Sequence, residues 1–294
     1  MSVVITERPA RRDDLDAIVD LFCRYEQKHR GAPDTEPSDV TDDWDLPGWD
    51  FATSTLVLED AGRVVGYGLV VQEHADTVVD VDRDDPDLWD RLLAWVEAHP
   101  VHHEHYVPDG DTAMNERLRR RGWVDARRFW RMRIDLDGPV PAPVWPEGVE
   151  VRDYRRGEDD RAVHELISTS FREIGGQHER SFEQWSQWLL ETERFDPTLY
   201  LVAVADGRVV GASLGQEVGG EGFVRQLAVH PSQRGRGLAL ALLHEGFRRN
   251  VARGLPAAIL GVDAGNPTGA IALYQKAGMR VHEQFTRWDW TPAS

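Results

Sequence analysis

Between Phe223 and Leu243 the chain reads FVRQLAVHPSQRGRGLALALL, and this stretch narrows the possible folds more than any other. Phe223, Val224, Leu227 and Val229 supply a buried strand, and Pro231-Ser232 marks its end. Beyond the turn, apolar residues recur at Ala239, Leu242, Leu243, Gly246 and Phe247, the spacing of one buried helical face. In between, Arg234-Gly235-Arg236-Gly237-Leu238-Ala239 puts glycines where the backbone N–H groups of a starting helix must point outward. Free N–H groups at the positive end of a helix form an anion site, and a diphosphate is the natural guest.

Arg-x-x-Gly-x-Ala at 234–239, after a strand ending Val229-His230-Pro231, resembles the acetyl-CoA pyrophosphate loop of the GNAT N-acetyltransferases. A second block follows in order: Asn266-Pro267, then Ala270-Ile271-Ala272-Leu273-Tyr274-Gln275-Lys276-Ala277-Gly278-Met279, similar to the "N…A..LY.K.GF" helix and turn of that family. The resemblance implies an α/β (α+β) fold whose mixed, mostly antiparallel sheet is flanked by helices.

Two copies of that fold are expected. At 294 residues the chain can bury two cores. Gly62-Arg63-Val64-Val65-Gly66 recurs as Gly207-Arg208-Val209-Val210-Gly211 at an offset of 145, and Arg121-Gly122-Trp123 matches Ala277-Gly278-Met279 at an offset of 156. Eleven residues are therefore missing from the first half, where its phosphate loop should stand. That place reads Val78-Val79-Asp80-Val81-Asp82-Arg83-Asp84-Asp85-Pro86, with no glycine and with carboxylates that repel a diphosphate. The four prolines of Asp137–Gly148 read as a linker. The expected organisation is a degenerate GNAT domain at 1–137, a linker at 138–148 and an active GNAT domain at 149–294. It resembles the tandem GNAT group that includes mycothiol synthase.

Carried over by position, the resemblance implies that the backbone of Leu227, Ala228 and Val229 binds the pantetheine arm of acetyl-CoA and polarises its thioester. The N–H groups of Arg234, Gly235, Arg236, Gly237, Leu238 and Ala239 would hold the pyrophosphate, and Asn266 would lie beside the arm. Tyr274 would be the general acid for the leaving thiolate, since a phenol titrates slightly above a thiol. Many relatives carry a basic glutamate eleven positions before the loop; here that position is Phe223. Glu221, on the same strand face, or Glu217 could act through a water, both could be solvated turn carboxylates, or no single base exists. Glu173 to Trp188 would line the acceptor pocket, with His178, Glu179, Phe182 and Trp185; helix packing accounts for the two aromatics equally well.

Other chemistries fit less well. Gly211-x-Ser213-x-Gly215 has the form of a nucleophile elbow, but it continues into another strand instead of turning into a helix. His99, His102, His103, Glu104 and His105 alternate faces on a strand, so no metal is expected. Gly235-x-Gly237 is followed by Leu240, not by the third glycine of a dinucleotide fingerprint.

The net charge is −17, of which −14 falls in residues 1–140 and −3 in the remainder, so nucleic acid is not an expected partner. One cysteine, Cys23, a charged N-terminal stretch and no membrane-length apolar run point to the cytoplasm. The expected activity is acetyl transfer from acetyl-CoA to the primary amine of a small molecule, by direct attack in a ternary complex, in a monomer or homodimer. A cysteinyl amino sugar is one specific version of that acceptor, and a peptide or protein N-terminus is another acceptor. A module that senses acyl-CoA without turnover is the alternative from another class.

Overall fold

The structure, a computed structural model, describes residues 5–46, 48–83, 85–172 and 180–292. It divides into two compact units, Met1–Phe129 with Glu283–Ser294, and Trp130–His282.

The first unit carries strands in the order β1-β2-β3-β4-β5-β12. They are β1 Ile5–Arg8, β2 Thr55–Asp60, β3 Arg63–Val71, β4 His74–Val79, β5 His103–Pro108 and β12 Arg280–Trp290. The unit boundary falls inside β12. Adjacent pairs are antiparallel except β4 and β5. Helices α1 (Leu15–Arg30), α2 (Pro37–Trp44), α3 (Phe51–Ser54), α4 (Pro86–Glu97) and α5 (Thr112–Arg120) accompany the sheet.

The second unit runs β7-β8-β9-β10-β11, with β6 (Val124–Asp135) beyond β11. Its strands are β7 Glu150–Asp153, β8 Tyr200–Ala205, β9 Arg208–Val218, β10 Glu221–Val229 and β11 Ala257–Asp263. Helices α6 (Asp160–Arg172), α7 (Phe182–Leu189), α8 (Leu238–Ala252) and α9 (Ala270–Lys276) complete it. Both units are thus α/β with a mostly antiparallel sheet, as the repeat predicts.

The same ion pair opens both units. Arg8 at the end of β1 grips Asp14 with two bonds of 2.7 and 2.8 Å, and Asp14 accepts the N–H of Arg11. Arg152 on β7 grips Asp159 at 2.7 and 2.8 Å, and Asp159 accepts the N–H of Arg155. In each copy a forked guanidinium ties the first strand to the start of the first helix.

Two features depart from the sequence reading. From its polar, acidic residues and Pro33, Pro37 and Pro47, the stretch 31–51 reads as a long loop with one helical turn at most; it contains the eight-residue α2. Pro37 occupies its first turn, Glu36 and Asp39 form a reciprocal cap, and Val40 and Trp44, one turn apart, are buried. The division into units also departs from the linker boundaries at 137 and 149. Residues of β12 pair with β5 from Phe285↔Pro108 to Trp290↔His103. Trp288 is buried beside Val107, Met114, Leu118 and Trp123. The last strand therefore completes the core of the first unit.

Candidate active site

The site is assembled in the second unit where β10 parts from β11. The two strands run parallel and share partners only at Gly222↔Ala258 and Phe223↔Ile259. Against β9, β10 is paired over its whole length but skips Arg225, a bulge that bends the strand. From Val224 onward, the side of β10 facing β11 has no ladder partner. The His230 N–H donates to Val210 O across to β9 at 2.9 Å. Backbone groups alternate along a strand, so Leu227 and Val229 turn theirs to the open side. Ala228 turns its groups toward β9, and its side chain lies in the core beneath α6. Of the three, Ala228 alone is not presented to the open edge.

β10 runs directly into the turn at 230–237, where the sequence leads one to expect a pyrophosphate. His230 Nδ1 accepts from Ser232 N–H, which tightens the turn, and Arg234 Nε donates to Val229 O at 3.1 Å. Gly235 and Gly237 have φ of +75° and +85°, and a Cβ on either would meet nothing within 4 Å. Backbone conformation, not crowding, requires glycine there. Gly237 stands at the N-cap of α8 with no side-chain cap, so the first N–H groups of the helix face outward with a partial positive charge. Arg236 adds a guanidinium steadied by Gln233 Oε1 and by Glu147 O. Leu238 anchors the helix start in a buried cluster with Val210 and Leu242.

The corresponding end in the first unit is closed by a carboxylate. Asp85 caps α4 by accepting the N–H of Asp87, with Pro86 in the first turn. Asp80 is fully buried between Arg24 (2.6 Å) and Arg63 (2.7 Å), and Asp82 also meets Arg24. Asp84 lies outside the described residues.

Tyr274 projects from α9 into the cluster that also holds Val224, Leu227 and Leu240. Burial alone pushes its hydroxyl up to about 12, with no hydrogen-bond partner among the described residues. The phenol keeps its proton throughout the neutral range. Asn266 precedes α9, and its Oδ1 accepts from Thr268 N at 2.9 Å and Thr268 Oγ1 at 2.5 Å. That oxygen organises the turn into α9.

Glu221 is not brought to this place. It sits at the far end of β10, about 20 Å along the strand from Leu227 at roughly 3.3 Å per residue, and its carboxylate is paired with Arg133. Glu217 is exposed at the end of β9. Phe223, in the position of the usual base, lies under the Arg225 guanidinium at 5.3 Å. Arg225 is also 4.4 Å from the ring of Trp188, and Arg180 is 4.3 Å from it. The described part of the acceptor segment, 180–188, thus carries Arg180 and Glu183 among three aromatic rings, and Arg225 of β10 comes up to Trp188 beside it. Trp185 is buried and donates to Gln226 Oε1 at 2.9 Å, and Phe182 packs beside it under Arg161. His178 and Glu179 lie outside the described residues. Sequence reading overlooked Arg225 because a bulge is a property of strand pairing, invisible along one strand.

The decoys also resolve. Ser213 lies in mid-strand opposite Leu201 and Leu227, and Gly211 is small because Leu238 closes over it. His103 and His105 are buried. Glu73, His102 and Glu104 do approach one another within 4.8 Å, but Glu104 already binds Arg287 at 2.5 Å. No helix is long and apolar enough to cross a membrane among the described residues.

With this geometry in place, comparison with known proteins is decisive. Residues 161–279 match the Acetyltransferase (GNAT) family. A GCN5-related N-acetyltransferase from Sphaerobacter thermophilus superposes with a TM-score of 0.81 at 31% identity, over 97% of this chain and 95% of that one. The chain belongs to the GNAT family of N-acetyltransferases. The tandem GNAT protein from the clavulanic acid biosynthesis pathway shares the fold, with a TM-score of 0.77 at 17% identity over 99% of this chain and all of that one. The mycothiol acetyltransferase of Streptomyces bingchenggensis is 30% identical over 256 residues, 78% of each chain. Against several other proteins of that name, the match spans only about half of their length. The GNAT match covers α6 to Met279, the segment that holds both the phosphate loop and Tyr274.

Proposed function

We propose that this GNAT protein transfers the acetyl group of acetyl-CoA to the primary amine of a small molecule, by direct attack in a ternary complex, at one site per chain in the second unit. The observation that carries this reading is the uncapped start of α8, with left-handed Gly235 and Gly237, beside the unpaired edge of β10. The pyrophosphate takes the N–H groups of residues 234–239. The pantetheine arm lies along the open edge and uses the backbone of Leu227 and Val229 as a missing strand would. Asn266 borders the arm through the turn it organises.

The amine nitrogen attacks the thioester carbon, the new C–N bond forms and the C–S bond breaks. The Leu227 N–H stabilises the developing oxyanion, the Val229 N–H, about 7 Å further along the strand, holds the arm, and Tyr274 gives its proton to the departing thiolate. A thiolate born in the same dry surroundings is raised as the phenol is, which keeps the two matched. The attacking nitrogen must lose a proton, and Glu221, held by Arg133 at the far end of β10, is too distant from Leu227 to take it directly. No single base is needed: the amine reacts from its neutral fraction. Solvent takes the proton.

The names of the relatives support an acceptor such as a cysteinyl amino sugar. The half-buried Cys23, the sole cysteine, suits a reducing cytoplasm. Asp85 in the cap of α4 supports a first unit that takes no diphosphate.

Calorimetric titration with acetyl-CoA tests the reading. One site per chain, abolished in Gly237→Glu, is expected. Two sites would overturn the assignment of the first unit, and no binding would overturn the transferase reading.

A further inference from the structure

The first unit has a half-open cavity with no place in the acetyl transfer proposed above. It lies between α1, α2 and the strands β3 to β5, is closed by Phe285 of β12, and measures about 220 Å³. That volume is below the usual range of sites for drug-sized ligands, and far too small for acetyl-CoA.

The lining has a consistent character. Phe22, Tyr106 and Phe285 give it aromatic walls. Asp43 lines it half-buried, with no hydrogen-bond or ion-pair partner for its carboxylate among the described residues. Asp76 lines it too; one oxygen accepts the Thr77 N–H at 3.1 Å and the other lies 3.9 Å from His74 Nε2. The one guanidinium in the lining, Arg30, is already neutralised by Glu26 at 2.8 Å, Asp34 at 2.5 Å and Glu283 at 3.0 Å. His105 brings no charge, because burial pulls it down to about 4. It is 4% exposed; Nε2 meets Thr77 Oγ1 at 2.9 Å, and Nδ1 is buried without a partner.

Carboxylates in excess of countercharge, aromatic faces around them and one buried polar nitrogen left open describe a receptor for a positive charge on a small apolar body. Aromatic faces attract such cations through their quadrupoles, and a buried carboxylate gains most from a partner it lacks. We propose that this cavity is a second ligand site, separate from the acetyl-transfer site, which binds a small organic ammonium compound between Asp43, Asp76 and the rings of Phe22, Tyr106 and Phe285. Burial lifts the Asp43 carboxyl to about 6, with the His74 imidazole pulling the other way. A bound ammonium would add a full positive charge beside it.

The test is calorimetric titration of the full chain with choline and with n-butylamine, each against a neutral control, 3,3-dimethylbutan-1-ol and butanol. The expected result is binding of at least one cation at concentrations up to about 10 mM, with neither alcohol binding. Affinity should fall at least tenfold in Asp43→Asn and in Asp76→Asn. Both substitutions preserve shape, and acetyl-CoA binding to each variant serves as the check that it is folded. Either alcohol binding as well as its cation, affinity undiminished in both variants, or no cation binding over that range would overturn the proposal. Because acetyl-CoA is titrated separately, failure here leaves the transferase reading standing, and the reverse also holds.

Discussion

The indole N–H of Trp288 donates to Asn115 Oδ1 at 2.8 Å, joining the end of the chain to α5 of the first unit. The ring is 1% exposed and packs with Met114, Leu118 and Trp123. Trp288→Ala should cost about 3–5 kcal/mol, the range for truncating a buried aromatic, whereas Trp288→Phe loses chiefly the hydrogen bond, about 1 kcal/mol. Urea denaturation checks both. Equal losses in the two variants would show that the ring is not packed as described.

Tyr274→Phe removes the proposed proton donor and keeps the ring in its cluster. Turnover should fall about 10²–10⁴-fold, the usual yield of a positioned acid, while the affinity for acetyl-CoA stays within twofold of wild type. Thiol release under single-turnover conditions reads the first and calorimetry the second. A protein that only senses acyl-CoA would show no turnover in either form, and unchanged turnover in the variant would remove Tyr274 from the mechanism.

Gly211 is small for a packing reason. A Cβ there would lie 3.1 Å from Leu238 Cδ2, 3.2 Å from Ala203 Cβ and 3.3 Å from Leu242 Cδ1. Gly211→Ala makes Leu238, Leu242 and Ala203 each give by a few tenths of an ångström under the first turn of α8, at a cost of about 1–3 kcal/mol for overpacking. It should also weaken acetyl-CoA, since the same turn presents the phosphate-binding N–H groups. Thermal denaturation and calorimetry together test this, and weaker stability with unaltered affinity would separate the loop from the packing beneath it.

Asp43 links stability to pH. Its carboxyl is raised from 3.8 to about 6, first by burial, then by Asp76, Asp42 and Asp39, with His74 acting against them. A folded pKa above the unfolded one means stability that is full below pH 3.8 and is lost as pH rises through 6. His105, lowered from 6.5 to about 4 by burial, slopes the other way, because the unfolded state takes up its proton first as pH falls. Comparing wild type with Asp43→Asn isolates the carboxylate: the variant should be the more stable by about 1–2 kcal/mol at pH 7, after allowance for solvent screening, and equal to wild type near pH 3. A difference that does not change with pH would contradict the burial of this group.

Along the chain, the alternation and helical spacing of apolar residues were enough to predict most strands and helices. The glycines at 235 and 237 disclosed the turn into α8 because left-handed φ is written directly into residue type. The repeat was legible for the same reason, in its Gly-Arg-Val-Val-Gly turns. The partnership of β12 with β5 was decided in three dimensions, because strand pairing joins residues some 180 positions apart and leaves no local signature. The same holds for Glu221, drawn onto Arg133, and for Arg225, set at a bulge beside Trp188. Sequence by itself determined which segments form elements and which backbone can meet an anion, since both follow from local sterics and periodicity. Tertiary structure alone decided which charges meet and which stay unpartnered, because packing brings together side chains that no local pattern relates.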